Sequence, residues 1–174
     1  MDADLRVNAL YLSSRLRSRL ADAARCPVTT IIAPTGYGKT TAAQYLQRRI
    51  AAEAPDAYLF RQFLSGGGRQ EFWAGLCRAL HTAPQLPAQL RALGYPDSPH
   101  TRQQLLELVQ DALAGKPPVW FILDDVHLLS AGEAAELVSF LAERLPPQAH
   151  LILLSRNQIF SEAQKLRLGS RLLE

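Results

Sequence analysis

Lys39 and Thr40 follow a turn that carries glycines at 36 and 38, and two carboxylates, Asp124 and Asp125, close an apolar run much later in the chain. A lysine, a hydroxyl and paired carboxylates are the groups that hold a polyphosphate and its divalent cation. The first segment reads Ala33-Pro34-Thr35-Gly36-Tyr37-Gly38-Lys39-Thr40-Thr41. Glycines let such a turn bend sharply and bring its amides close to an anion, and a helix N-terminus placed behind it favours negative charge. The expected cradle is Pro34, Thr35, Gly36, Tyr37, Gly38, Lys39, Thr40 and Thr41. Lys39 would reach the β- and γ-phosphates and the Thr40 hydroxyl would ligate Mg²⁺. The pattern G-x-x-x-x-G-K-[ST] is met except at Ala33, where a small residue replaces the first glycine. The plainer alternative is a glycine-rich turn that happens to contain a lysine.

Val119-Trp120-Phe121-Ile122-Leu123 leads into the two acids. The run is short, β-branched and aromatic, so it reads as a buried strand. Asp124 at its tip is the expected Mg²⁺ acid, and Asp125, one residue further, is placed to orient or deprotonate a water. A third segment, His150-Leu151-Ile152-Leu153-Leu154-Ser155, ends in Arg156, a cation able to read the γ-phosphate through charge-assisted hydrogen bonds. Asp125, Lys39 and Arg156 form the expected catalytic set, and ATP or ADP with Mg²⁺ the expected ligands. Two acids merely ending a strand, and a surface arginine following one, are the bland readings of the same residues. The second acid favours hydrolysis over transfer to a bound acceptor, and with it the branch of phosphate-cradle proteins in which an additional strand separates the cradle strand from the acid strand.

Those groups need elements to hold them. Val28-Thr29-Thr30-Ile31-Ile32 reads as the cradle strand, Lys39 to Glu53 as a helix stopped by Pro55, and Ala57 to Phe63 as a second strand. Helices are expected from Leu12 to Ala24, with Leu12, Leu16 and Leu20 on one face and Arg15 and Arg19 near it, and from Arg69 to His81. Two more are opened by capping boxes, Thr101-x-x-Gln104 and Ser130-x-x-Glu133. Gly66-Gly67-Gly68 reads as a connector without a lysine, and Pro84, Pro87, Pro96 and Pro99 as a loop patch with short helical turns. Arg15, Arg17 and Arg19 read as a solvated face, with one of them able to touch a nucleotide. Strand and helix alternate, which implies α/β architecture: a three-layer αβα P-loop fold with a mostly parallel sheet, the cradle lying at its carboxyl edge. One domain is expected, with a helical lead-in over 1–26 and the core over 27–174. The stretch from Arg167 to Glu174 reads as a linker, placing the fifth strand of such a core beyond the end of the chain.

With 174 residues, 48% of them hydrophobic, and a formal charge of +3, the chain can build a core and shows no strong bias toward nucleic acid. No apolar run reaches membrane-spanning length and the N-terminus lacks a leader pattern, so a cytoplasmic protein is expected. Cys26 and Cys77 are far apart and read as ordinary thiols.

Three segments in order resemble the ATPase module of the large ATP-binding LuxR-type (MalT-like) transcriptional regulators, members of the STAND class. They are the cradle with Tyr37 inside it, Leu123-Asp124-Asp125-Val126-His127-Leu128-Leu129, and Leu153-Leu154-Ser155-Arg156-Asn157. The resemblance implies an additional-strand P-loop domain working as a switch, ADP-bound and closed at rest, ATP-bound and self-associating on signal. It carries over phosphate and Mg²⁺ binding to Lys39 and Thr40, the Mg²⁺ acid to Asp124, the hydrolytic carboxylate to Asp125 and the sensor to Arg156. His127 fits the family pattern and is equally readable as packing or contact. The chain departs from the family at Ser65 and the three glycines, where acidic residues are usual. DNA binding in such regulators lies in a C-terminal region expected outside this chain. A stand-alone AAA-type ATPase, and a non-catalytic interaction domain that keeps the fold, are the alternatives.

Overall fold

The computed structural model describes residues 13–64, 68–79, 86–129 and 133–174. Five strands, β1 (Val28–Ile32), β2 (Tyr58–Phe63), β3 (Val119–Asp124), β4 (Ala149–Ser155) and β5 (Leu172–Leu173), form one sheet in the order β2-β3-β4-β1-β5. Every pairing is parallel. Parallel neighbours require crossovers, and helices supply them: α2 (Lys39–Glu53), α3 (Gly68–Ala79), α4 (Leu86–Leu93), α5 (Pro99–Leu113), α6 (Glu133–Arg144) and α7 (Glu162–Leu168), while α1 (Ser14–Ala23) precedes β1. β4 lies between the cradle strand β1 and the acid strand β3, which is the additional-strand arrangement expected from the sequence.

Period-two alternation sorts the strand residues onto two faces. Val119, Phe121 and Leu123 of β3, with Leu151 and Leu153 of β4, pack into one core with Phe72, Leu76, Leu105, Val109 and Leu137 from α3, α5 and α6. Trp120, Ile122, Ile152 and Leu154 face the opposite way, onto Leu20 and Ala23 of α1 and Ala43, Leu46 and Ile50 of α2. The sheet is therefore covered on both sides, which explains why the middles of β3 (residues 119–123) and β4 (residues 151–154) are apolar rather than alternating. Two polar groups buried against it are paired with the end of α1. Thr29 Oγ1 donates to the Ala23 carbonyl (3.3 Å) and Trp120 Nε1 to the Ala24 carbonyl (3.2 Å), fastening the end of α1 to the sheet.

Several expectations are corrected. The fifth strand is not beyond the chain: Leu172–Leu173 already pairs with Val28 and Thr29 of β1. The helix over 101–114 starts earlier, at Pro99, because Ser98 is its cap. The Ser98 hydroxyl accepts from the Thr101 amide (3.1 Å) while Thr101 Oγ1 accepts from the Ser98 amide (3.1 Å), so Thr101 closes the box from the helix side instead of opening it. Proline at the first helical position fits this start. Leu16 is 41% exposed and not part of an inner face; Leu20 carries the burial of α1. The proline patch contains a true helix, α4, whose Leu90 is fully buried. Leu12, the Ser130 box, Gly66, Gly67, His81 and Pro84 lie outside the described residues.

His150 of β4 stacks on Trp120 of β3 with ring centroids 4.6 Å apart, and its Nδ1–H donates to the Cys26 carbonyl at 3.0 Å. Burial pushes the imidazole below its usual pKa, against a smaller opposite pull from that hydrogen bond. The unfolded chain binds the proton near pH 6.5 and the folded one only at lower pH, so this group's contribution to stability is complete above about 6.5 and is lost as pH falls toward the folded value. Thermal melts at pH 7.5 and 5.5 should show a smaller Tm difference for His150→Gln than for wild type.

Candidate functional site

Parallel strands end together, so the residues following β1, β3 and β4 meet at one edge of the sheet. Register carries this down to single residues. Ile32 is level with Ser155, Leu123 with Leu153, and Asp124 with Phe63. The turn after β1 has Gly36 at φ 83° and Gly38 at φ 80°. A Cβ at Gly36 would meet nothing within 4 Å, and one at Gly38 only Thr41 Cβ at 3.8 Å. Space is open at both positions, so the left-handed dihedral is what selects glycine there. Gly38 is also the N-cap of α2 and places no side chain on its first amides, which stay free to bind an external acceptor.

Lys39 is 9% exposed. Its Nζ donates to the Ala33 carbonyl at 2.6 Å and the Pro34 carbonyl at 3.0 Å, lying back across the turn it follows. A cavity of about 400 Å³ opens in front of it. One wall is the turn and the start of α2, namely Thr35, Gly36 and the run Gly38, Lys39, Thr40, Thr41. The other is Asp124, Asp125, Arg156 and Phe63. The predicted lysine, hydroxyl, paired acids and arginine thus share one hollow, although they come from three distant segments. Two predicted cradle residues do not line it. Pro34 contributes its carbonyl to Lys39, and the Tyr37 side chain is 77% exposed.

Asp124 is 3% exposed at the tip of β3. Its Oδ1 accepts from the Asp125 amide (3.0 Å) and its Oδ2 from Arg61 Nη2 (2.7 Å). Asp125 follows at φ 58°, the one left-handed non-glycine among the described residues. That conformation, tolerated by Asp better than by bulkier residues, turns the chain out of the strand into a short 3-10 turn at Val126–Leu128. The Asp125 carboxylate is 36% exposed, with its Oδ1 3.8 Å from His127 Nδ1. His127 lies outside the cavity wall and is 9% exposed, with neither ring nitrogen hydrogen-bonded among the described residues. Arg156 is exposed just beyond β4, where Ser155 is held by the Ala33 amide donating to its carbonyl (3.1 Å).

The donors fit the group that the motif implies. A carboxylate and a threonine hydroxyl on one cavity are hard oxygen ligands, the kind Mg²⁺ takes. Among the described residues no three His, Cys, Asp or Glu side chains gather into a further set of metal ligands. Sequence reasoning missed two residues here, Phe63 on the wall and Arg61 behind Asp124. The signal was present in β2, where Arg61 and Phe63 are two apart and so share a face.

The AAA domain family matches this chain over residues 22–155. The HTH-type transcriptional regulator MalT of Serratia proteamaculans (strain 568) is 27% identical over 98% of the chain, which spans 19% of that relative's length. Two solved structures are similar at 11% identity over 91% of this chain: Drosophila ORC bound to AT-rich DNA and Cdc6, with 55% of that chain covered and a TM-score of 0.50, and Drosophila ORC bound to DNA, with 87% covered and a TM-score of 0.52. At that identity they show a common fold. The MalT similarity agrees with the resemblance read from the motifs.

The dihedral argument at the turn is open to measurement. Gly36→Ala should cost about 1–2 kcal/mol in urea unfolding despite the open space around it, and Gly36→Asn clearly less, since asparagine accepts the left-handed region.

Proposed function

The chain belongs to the AAA domain family, and on that footing we propose that it is an ATP- and ADP-binding switch module with slow Mg²⁺-dependent hydrolysis, part of a signal-responsive transcriptional regulator. One observation carries the reading: Lys39, Thr40, Asp124, Asp125 and Arg156 line a single cavity in front of a glycine turn and a helix N-terminus. The amides from Thr35 to Thr41 hold the phosphates, and Lys39 leaves the two carbonyls it now caps to meet them. Thr40 and Asp124 hold Mg²⁺, which when bound neutralises charge on the β- and γ-phosphates. Asp125, left-handed and partly exposed, orients the attacking water and takes its proton. Arg156 donates to the γ-phosphate, a contact that ADP does not offer.

That difference between ligands is what makes a switch. A ligand shifts a conformational equilibrium only by its unequal affinity for the two states, and Arg156 supplies the inequality. The similarity to MalT supports a regulator as the parent, with self-association on ATP and DNA contacted through a region other than this one. Among the described residues no helix is long and apolar enough to cross a membrane, in keeping with the cytoplasm as the place of work. A fast motor would need an arginine to reach a neighbouring copy. Arg144, Arg167 and Arg171 are instead engaged internally, the first two with Glu143 and the third with the Leu145 carbonyl.

Calorimetry with ATP and Mg²⁺ tests the cavity. Lys39→Ala should weaken binding at least about tenfold, or ~1.4 kcal/mol; equal affinity in the two proteins would refute the assignment. Asp125→Asn should leave ATP affinity in place and lower single-turnover hydrolysis about a hundredfold. For the sensor, the expected change is in a ratio: Arg156→Ala should reduce the preference for ATP over ADP by roughly tenfold, the worth of one hydrogen bond to a charged group, while ADP affinity stays put.

A further inference from the structure

The cavity is served by a cation that the phosphate motifs do not call for. Arg61 projects from β2 to the buried side of Asp124. Its Nη2 donates to Asp124 Oδ2 at 2.7 Å, its Nη1 donates to Gln47 Oε1 of α2 at 3.2 Å, and its guanidinium carbon lies 4.5 Å from the centre of the Phe63 ring. Arginine and aspartate side chains are only 13% and 5% exposed. A strand, a helix and an aromatic face all hold this guanidinium in place, and Phe63 itself lines the cavity. Such a fixture differs from a surface ion pair, which salt and side-chain entropy reduce to little.

The charges around the cavity show what it does. Lys39 and Arg156 on its wall are balanced by Asp124 and Asp125, so the wall alone is formally neutral toward a polyanion. Arg61 tips the balance to the positive side without occupying the hollow. A carboxylate this shielded cannot stand uncompensated. Here the partner is covalently part of the chain. The carboxylate has about four lone-pair positions, of which Arg61 and the Asp125 amide take two. Asp124 therefore keeps acceptor capacity with which it would help hold a divalent cation without dislodging the arginine.

We infer that Arg61 is a built-in counter-cation for the metal-binding carboxylate, acting through Asp124 to let this cavity take a nucleoside diphosphate with little help from Mg²⁺. The inference rests on the nucleotide reading above and adds a regulation to it: the diphosphate state persists when free Mg²⁺ is scarce. Arg61 is a positioning residue, since nothing places it against the phosphates.

The measurement is the ratio of ADP affinity in Mg²⁺ to that in EDTA, by calorimetry on the whole chain. Wild type should show a ratio within about tenfold. Arg61→Gln should raise the ratio about tenfold or more, chiefly by losing affinity in EDTA, and Arg61→Lys should stay within about threefold of wild type because the charge remains. A purely structural strap would weaken both affinities together and leave the ratio alone. Should Arg61→Gln not fold, the charge-neutral double variant serves: Asp124→Asn with Arg61→Gln should bind ADP in EDTA within about threefold of wild type, because the carboxylate and its counter-cation leave together. A double variant about tenfold or more weaker in EDTA, or an unmoved ratio in a folded Arg61→Gln protein whose ADP binding needs Lys39, overturns this inference alone. A wild-type chain that binds neither ADP nor ATP overturns it together with the nucleotide reading.

Discussion

A buried carboxylate cannot be left without a partner, and the edge of this sheet is arranged around that requirement. Asp124 ends a strand that is otherwise wholly apolar and covered on both faces. Its charge is met from three directions: the next residue's amide, the neighbouring strand's arginine, and a hollow lined by hydroxyl and ammonium groups. Removing one member of such a set typically costs several kcal/mol. The left-handed turn at Asp125 belongs to the same arrangement: it follows directly on the amide that donates to Asp124 Oδ1, and it turns the chain so that the Asp125 carboxylate reaches the cavity.

Parallel topology does the rest. Inserting β4 between β1 and β3 separates the cradle from the acid by one strand and gives Arg156, just past the intervening strand's tip, a place on the shared rim. Fastenings at the opposite edge keep the sheet in register: Trp120 and Thr29 on the end of α1, and Cys26 Sγ donating to the Arg171 carbonyl near β5 at 3.0 Å. Chemistry at the carboxyl edge and rigidity at the amino edge are thus separate properties of the same five strands.

Much of this was legible in the residues. Short apolar runs pointed to β1, β3 and β4, the glycines at 36 and 38 to the turn, and Lys39, Thr40, Asp124, Asp125 and Arg156 stood out by their places beside that turn and after the strand ends. What was hidden depended on tertiary context. Arg61 sits mid-strand in a chain with nineteen basic residues, and only the register of β2 on β3 reveals which carboxylate it meets. Ser98 was passed over as a cap because Thr101-x-x-Gln104 offers an equally good local pattern; the proline at 99 decided it by fitting the first turn. Leu172–Leu173 is too short to show period, and is a strand only because β1 has a free edge for it. Leu16 has helical spacing to Leu20, yet no part of the described core reaches it.

The strand order has a kinetic consequence. β1 leads the sheet in sequence, yet its two neighbours are β4 and β5, the last strands to be made. Until they arrive, a run of valine, threonines and isoleucines has no ladder to join, and closing so large a loop is entropically slow. The segment therefore stays without a pairing partner until β4 and β5 have been made, a hazard for intermolecular pairing. The phosphate turn, anchored at one end on β1, cannot form as a local loop ahead of the rest. It comes into being with the final docking event, so occupancy of the hollow reports on completed folding of the whole sheet.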